Sequence, residues 1–276
     1  MLKKCLRQSC GVLLGTFLLS GLAFAENDNN LGSCRDLPSQ ADLKAALTAA
    51  RHSANGGFNL DMWGTLVNRD GEVCAVAFTG VDRGSEWPGS RVISAQKANT
   101  ANAFSLSSNA TGIPSLALST ANLFSAVQPG GSLFGLQESN PVNTTVAYGG
   151  NAGNYGQSND PMVGGKIGGV NVFGGGLALY KNDGHGHVTL VGAIGVSGDT
   201  SCADHEIAWR TRNNLELDYV TVGVAAVFAG DPTHPDNIIY DITQDAHGHD
   251  TSATGFGHPT CYNTVNPILL PPARHP

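Results

Sequence analysis

Apolar and polar positions alternate with two different periods along this chain, and the switches between them mark out elements. From Ser39 the helical period appears first: Leu43, Ala46, Leu47 and Ala50 fall on one stripe. Ser39 stands at the N-cap with an acid three residues on, and Gly56-Gly57 stop the run, so a helix is expected from about Ser39 to His52. Two strand-like segments follow, about Asp61 to Asn68 and Glu72 to Thr79, joined by the hairpin signal Arg69-Asp70-Gly71. A second helix is read from Arg91 to about Phe104, and a shorter one over Ser119 to Val127. Its alanines and small polar residues let the Arg91–Phe104 helix lie close on a sheet.

Between Gln137 and Val163 the period is lost in an Asn-, Gly- and Pro-rich stretch, read as a long ordered loop or insertion. Strand pattern returns at Gly169–Phe173, Gly176–Lys181 and His187–Val196, followed by a third major helix from about Thr200 to Asn213. The order of two strands, helices, three strands and a helix predicts an α/β (α+β) fold with a five-stranded antiparallel sheet and packed helices. After Leu215 comes an extension, residues 214–276, with one apolar segment, Tyr219 to Phe228, and a tail rich in His, Pro and Asp.

The start of the chain reads differently. Lys3, Lys4 and Arg7 precede the apolar run Gly11–Leu22 and the small-x-small site Ala23-Phe24-Ala25, the pattern of a cleaved secretory signal over residues 1–25. That run is too short to span a bilayer by the usual ~20-residue criterion. The expected product is an exported, periplasmic or extracellular protein with no stable membrane insertion. Its body would be a domain over 26–213, with the 137–163 loop insertion and the 214–276 extension.

The formal charge of −7 falls to about −10 without the three signal cations. An acidic chain without basic runs is not built to bind nucleic acid. Only 13% of residues are charged and 36 are glycine, which favours tight turns over long solvated helices. Removal of the signal takes Cys5 and Cys10 and leaves Cys34, Cys74, Cys202 and Cys261. Two disulfides are expected in an oxidising compartment, and all three pairings stay open.

The junction Leu190–Arg210 invites a catalytic reading, but its spacing refuses one. In Gly195-Val196-Ser197-Gly198-Asp199 an aspartate stands where a nucleophile elbow needs its last glycine. Gly192, Gly195 and Gly198 recur every third residue, unlike a dinucleotide fingerprint, and Asp199, Asp204 and Glu206 would repel a phosphate. The glycines are expected to let the strand approach its neighbours, with Asp199 or Thr200 capping the helix.

Val67–Val76, Arg91–Phe104, Gly168–Phe173 and Val191–Gly198, taken in order, resemble successive blocks of the haem-degrading GlcG/HbpS-like family, also seen as the C-terminal domain of PduO-type proteins. The resemblance covers Ser39 to about Asn213. It implies a profilin-like sandwich with sheet order 2-1-5-4-3, assembly into a homo-oligomer, and haem as the small-molecule partner. It leaves open whether haem is broken down or only bound. The insertion and the tail lie outside the compact family core, and Asp204-His205-Glu206 puts a histidine in a helix that is usually simply acidic.

Haem needs an apolar slot, an axial ligand and polar or cationic groups for its propionates. His205 and His52 are the candidate ligands, on helices that the family fold sets side by side. Arg91 and Lys97 are the candidate propionate partners, with ion pairs to neighbouring acids as their structural alternative. His-Gly-His occurs twice, and in extended chain both rings of such a pair share a face. His247 and His249, with His258, therefore form a candidate transition-metal cluster; His185 and His187 lie in or beside a hairpin turn. The rival readings are a module that binds or senses a non-haem small molecule, and a metal-binding protein that uses its tail.

Overall fold

A computed structural model describes residues 33–107, 115–244, 246–266 and 269–276. The signal reading over residues 1–25 lies outside the described residues.

Helix α1, Gln40–Arg51, begins at a capping box in which Ser39 and Asp42 bond to each other's backbone amides. Its stripe of Leu43, Ala46, Leu47 and Ala50 is buried as the periodicity requires. Strands β1 (Trp63–Asn68) and β2 (Val73–Phe78) form the expected hairpin. Asn68 Oδ1 accepts from the Asp70 and Glu72 amides, and Gly71 takes the positive φ of 75° that the turn needs.

Helix α2 spans Ser90–Phe104. Two short helices, α3 (Phe124–Val127) and α4 (Thr144–Tyr148), precede strands β3 (Gly176–Asn182) and β4 (Val188–Ser197). Helix α5 runs from Ser201 to Asn214, and a small hairpin, β5 (Ile242–Gln244) with β6 (Asp250–Ser252), sits in the tail.

The main sheet is antiparallel with order β2-β1-β4-β3. It has four strands, not the five expected. Gly169–Phe173, read as the fifth, spends two of its amides on side chains. Asn171 N donates to Thr100 Oγ1 at 3.0 Å, and Phe173 N to Asn171 Oδ1 at 3.1 Å. Gly168 and Gly169 also turn the chain through left-handed φ values of 66° and 77°. The edge beyond β3 is taken instead by the chain leaving α5: Tyr180 N donates to Leu217 O at 2.8 Å, in a parallel bridge between Tyr180 and Asp218.

Helix α2 packs on β4, β1 and β3, while α1 and α5 lie together with α1 against β2 and α5 against β4. Close contact depends on the glycines of β4. A Cβ on Gly195 would stand 1.9 Å from Ser94 O and 2.5 Å from Ala98 N, so α2 lies on bare backbone there. Tail residues Leu217, Val220, Leu270 and Ala273 join the apolar cluster around Trp209. The apolar segment Tyr219–Phe228 is irregular before a π-helical turn at Ala225–Ala229, not a strand. Disulfides Cys34–Cys74 and Cys202–Cys261 tie the start of the described chain to β2 and the tail to α5.

Candidate functional site

A cleft of about 670 Å³ opens where the N-terminal turn of α2 meets the 137–163 segment. Trp63 and Val92 line it from β1 and α2, Tyr148 and Tyr155 from the insertion, and Arg83 from the loop before α2. Arg83 and Tyr148 are exposed; Trp63 and Val92 are buried. The aperiodic insertion forms this wall because a buried carboxylate organises it. Asp160 accepts from the Gly156 amide at 2.6 Å and the Met162 amide at 2.8 Å, and it pairs with Arg91 through Nε at 2.9 Å and through a second guanidinium nitrogen. Arg91 also donates to Ala147 O at 2.8 Å, and its guanidinium lies 3.7 Å from the Tyr155 ring centroid. The Tyr155 hydroxyl donates to the Tyr148 and Gly149 carbonyls, which fixes its ring in the wall.

Of the four residues expected at a haem site, Arg91 lines this cleft, with its guanidinium committed to Asp160. His52 is the exposed C-cap of α1. Lys97 is fully buried: Nζ donates to Asp204 Oδ2 at 2.7 Å and to Val196 O at 2.9 Å. His205 is fully buried too, its ring 6.2 Å from that of Trp209, and neither ring nitrogen has a hydrogen-bond partner of good geometry. Burial, reinforced by the nearby Arg212, lowers the His205 pKa to about 3, so the ring is neutral.

These two residues belong to a second polar centre, at the N-terminus of α5. Asp204 Oδ1 accepts from the Gly198 amide at 3.0 Å and the Asp199 amide at 2.8 Å, holding the glycine corner closed. Thr200 is the N-cap; Asp199 instead accepts from the Phe58 and Leu60 amides. Burial raises the Asp204 pKa to about 6 against the opposing pull of Lys97. One residue into the helix, Ser201 Oγ meets His258 Nε2 at 2.8 Å, while His258 Nδ1 meets Pro259 O at 2.7 Å. Burial lowers the His258 pKa to about 4. Next to it lies the Cys202–Cys261 disulfide.

The candidate tail cluster divides in space. His247 and His249 are exposed on the small hairpin with ring centroids 6.1 Å apart. His258 is buried and groups with Cys202 and Cys261, their ligand atoms all within 4.8 Å. Among the described residues, this is the one such group of three. His185 and His187 are exposed at the β3–β4 turn, where His187 pairs with Asp183.

Sequence reasoning did not find Asp160, Tyr148, Tyr155 or the Ser201–His258 contact. Asp160 lies 69 positions from its arginine, and both tyrosines sit where periodicity is absent. The only local sign was the Thr200-Ser201 pair at a helix start.

The class is thus a mixed α/β protein with an antiparallel sheet, helices on it and a tail wrapped over its last helix. A family model described as haem degrading protein HbpS-like matches residues 39–212, and the chain belongs to that HbpS-like family. Two solved structures resemble it distantly. Klebsiella pneumoniae protein ORFY, of family DUF336, is 23% identical with a TM-score of 0.40, covering 64% of this chain and 90% of its own. A PduOC:haem complex is 20% identical with a TM-score of 0.39, covering 63% of this chain and 89% of its own. Among curated proteins none matches this chain.

Proposed function

We propose that this is an exported haem-binding protein acting in haem capture, storage or breakdown, and that haem sits in the Trp63–Tyr155 cleft. The observation that carries this reading is the cleft itself, in a member of a family described as haem degrading. Its 670 Å³ lies within the range of pockets that enclose a cofactor-sized ligand, roughly 300–1,000 Å³. Trp63, Val92 and Tyr155 supply flat apolar walls for a macrocycle. The Arg83 guanidinium on the rim is free to meet propionates, whereas Arg91 is held by Asp160 and orients Tyr155. The exposed Tyr148 is the phenol that would face iron; bound iron would bring redox chemistry tuned by that ligand. Support for export comes from the signal pattern at residues 1–25 and the two disulfides, and no described helix is long and apolar enough to cross a membrane.

Gly89 offers a clean test. It lines the cleft at ordinary negative φ, and a Cβ added there meets nothing within 4 Å. Gly89→Trp should therefore fill the cleft without straining the fold. Hemin titrated into the wild type should shift the Soret band with saturation, and Gly89→Trp should weaken binding at least about tenfold, about 1.4 kcal/mol. An unshifted Soret band in the wild type would remove the haem reading.

A further inference from the structure

A different group carries a second chemistry, independent of the haem reading. We propose that Cys202, Cys261 and His258 form a redox-gated site for a thiophilic, tetrahedral metal ion, Zn²⁺ being the closest fit, filled when their disulfide is reduced and emptied when it re-forms. The ligand atoms of all three residues already lie within 4.8 Å of one another. In a tetrahedral Zn²⁺ site, thiolate and imidazole ligands stand roughly 3.5–4 Å apart. The Cα atoms of Cys202 and Cys261 stand 5.9 Å apart, and on reduction their sulfurs would part toward that spacing by side-chain rotation.

The surroundings suit a metal more than they suit a plain staple. Cys202 is the second residue of α5, in the first turn, where the helix dipole favours a thiolate. Its amide already donates to Cys261 Sγ at 3.1 Å. The His258 ring is fixed from both ends, by Pro259 O and Ser201 Oγ. With Nδ1–H donating to Pro259 O, Nε2 is the nitrogen that would take the ion, in exchange for its Ser201 contact, and the carbonyl keeps the ring oriented as in metal-bound imidazoles. Cys202 and His258 are buried while Cys261 is half-buried, which leaves a side for entry and for a fourth, non-protein ligand.

The chemistry balances with a dithiol as reductant. Two electrons and two protons pass from it to the Cys202–Cys261 bond, which becomes two thiols as the dithiol closes to a cyclic disulfide. Zn²⁺ then displaces both thiol protons, and two thiolates with one neutral imidazole leave the site uncharged. Exchange with a second disulfide runs the step backwards: it takes the two electrons and two protons and leaves as a dithiol, while the Cys202–Cys261 bond re-forms and the ion is expelled.

The experiment uses Co²⁺ as the probe with full-length protein reduced by a phosphine under argon. Reduced wild type should bind one Co²⁺ with thiolate-to-metal charge-transfer and tetrahedral d–d bands, and reoxidation should abolish them. His258→Gln should weaken binding at least about tenfold, and Cys202→Ser/Cys261→Ser should lose the bands. No charge-transfer band in the reduced wild type would overturn the proposal. So would an unchanged band in Cys202→Ser/Cys261→Ser, which would place it on other cysteines, or unchanged affinity in His258→Gln. Far-UV circular dichroism accompanies each titration, and a band that forms only in an unfolded chain overturns it as well.

Discussion

Replacing Lys97 by methionine tests how the strand-to-helix corner is held. The substitution keeps most of the side-chain volume of a fully buried residue and removes only its ammonium. Asp204 Oδ2 and Val196 O then lose their donors at 2.7 and 2.9 Å, while Asp204 Oδ1 stays on the Gly198 and Asp199 amides. A carboxylate anchored in this way cannot swing to water, so the cost is that of breaking a buried ion pair, about 3–5 kcal/mol. In a chain of this size that lowers Tm by roughly 6–20 °C. Urea unfolding with both disulfides intact, extrapolated linearly, measures it. Asp204 already titrates at about 6 with Lys97 beside it, and loss of the cation pushes that pKa higher. The deficit of Lys97→Met should therefore shrink as pH falls from 7.5 to 5, because the folded variant takes up a proton that the unfolded chain does not. A neutral-pH loss below about 1 kcal/mol, the size of a surface pair, would refute the reasoning.

Two further outcomes follow from buried groups and cross-links. Glu206 is buried with Oε2 unpartnered, and burial raises its pKa to about 7 against an ordinary 4.5. The folded chain holds that proton where the unfolded chain releases it, so this residue makes stability fall as pH rises from about 4.5 to 7, by about 3 kcal/mol in all. Glu206→Gln should remove that slope and be more stable than wild type at pH 8, read by urea unfolding across pH. Cys34 and Cys74 close a loop of 40 residues, and Cys34→Ser/Cys74→Ser should cost about 4 kcal/mol on the loop-entropy relation, read as a lower denaturation midpoint.

Much of the scaffold was legible because it rests on local patterns. The α1 stripe, the Asp70-Gly71 turn and the helix following Thr200 each declare themselves within a few residues. Gly169–Phe173 misled because its alternating valines mark a buried extended chain without saying where its amides go. Two of them go to Thr100 and Asn171 side chains, and the edge of β3 is filled by residues from beyond α5. The site was harder to read. Lys97 and Asp204 are 107 positions apart, so a helix-borne lysine gives no local sign of being buried in an ion pair. The cleft wall depends on Arg91 reaching Asp160 across a stretch with no period at all. Ser197, the apparent nucleophile of the glycine junction, is buried at the end of β4, and the polar contacts gather one turn later, at Ser201 and Asp204.

Hydrogen–deuterium exchange of the protein with and without saturating hemin locates the bound group most directly. The account predicts slowed exchange confined to the two cleft walls, the Asp82–Gly89 loop and the Tyr148–Tyr155 segment. Protection centred instead on the end of α1 at His52, or no protection anywhere in the presence of a shifted Soret band, would contradict it.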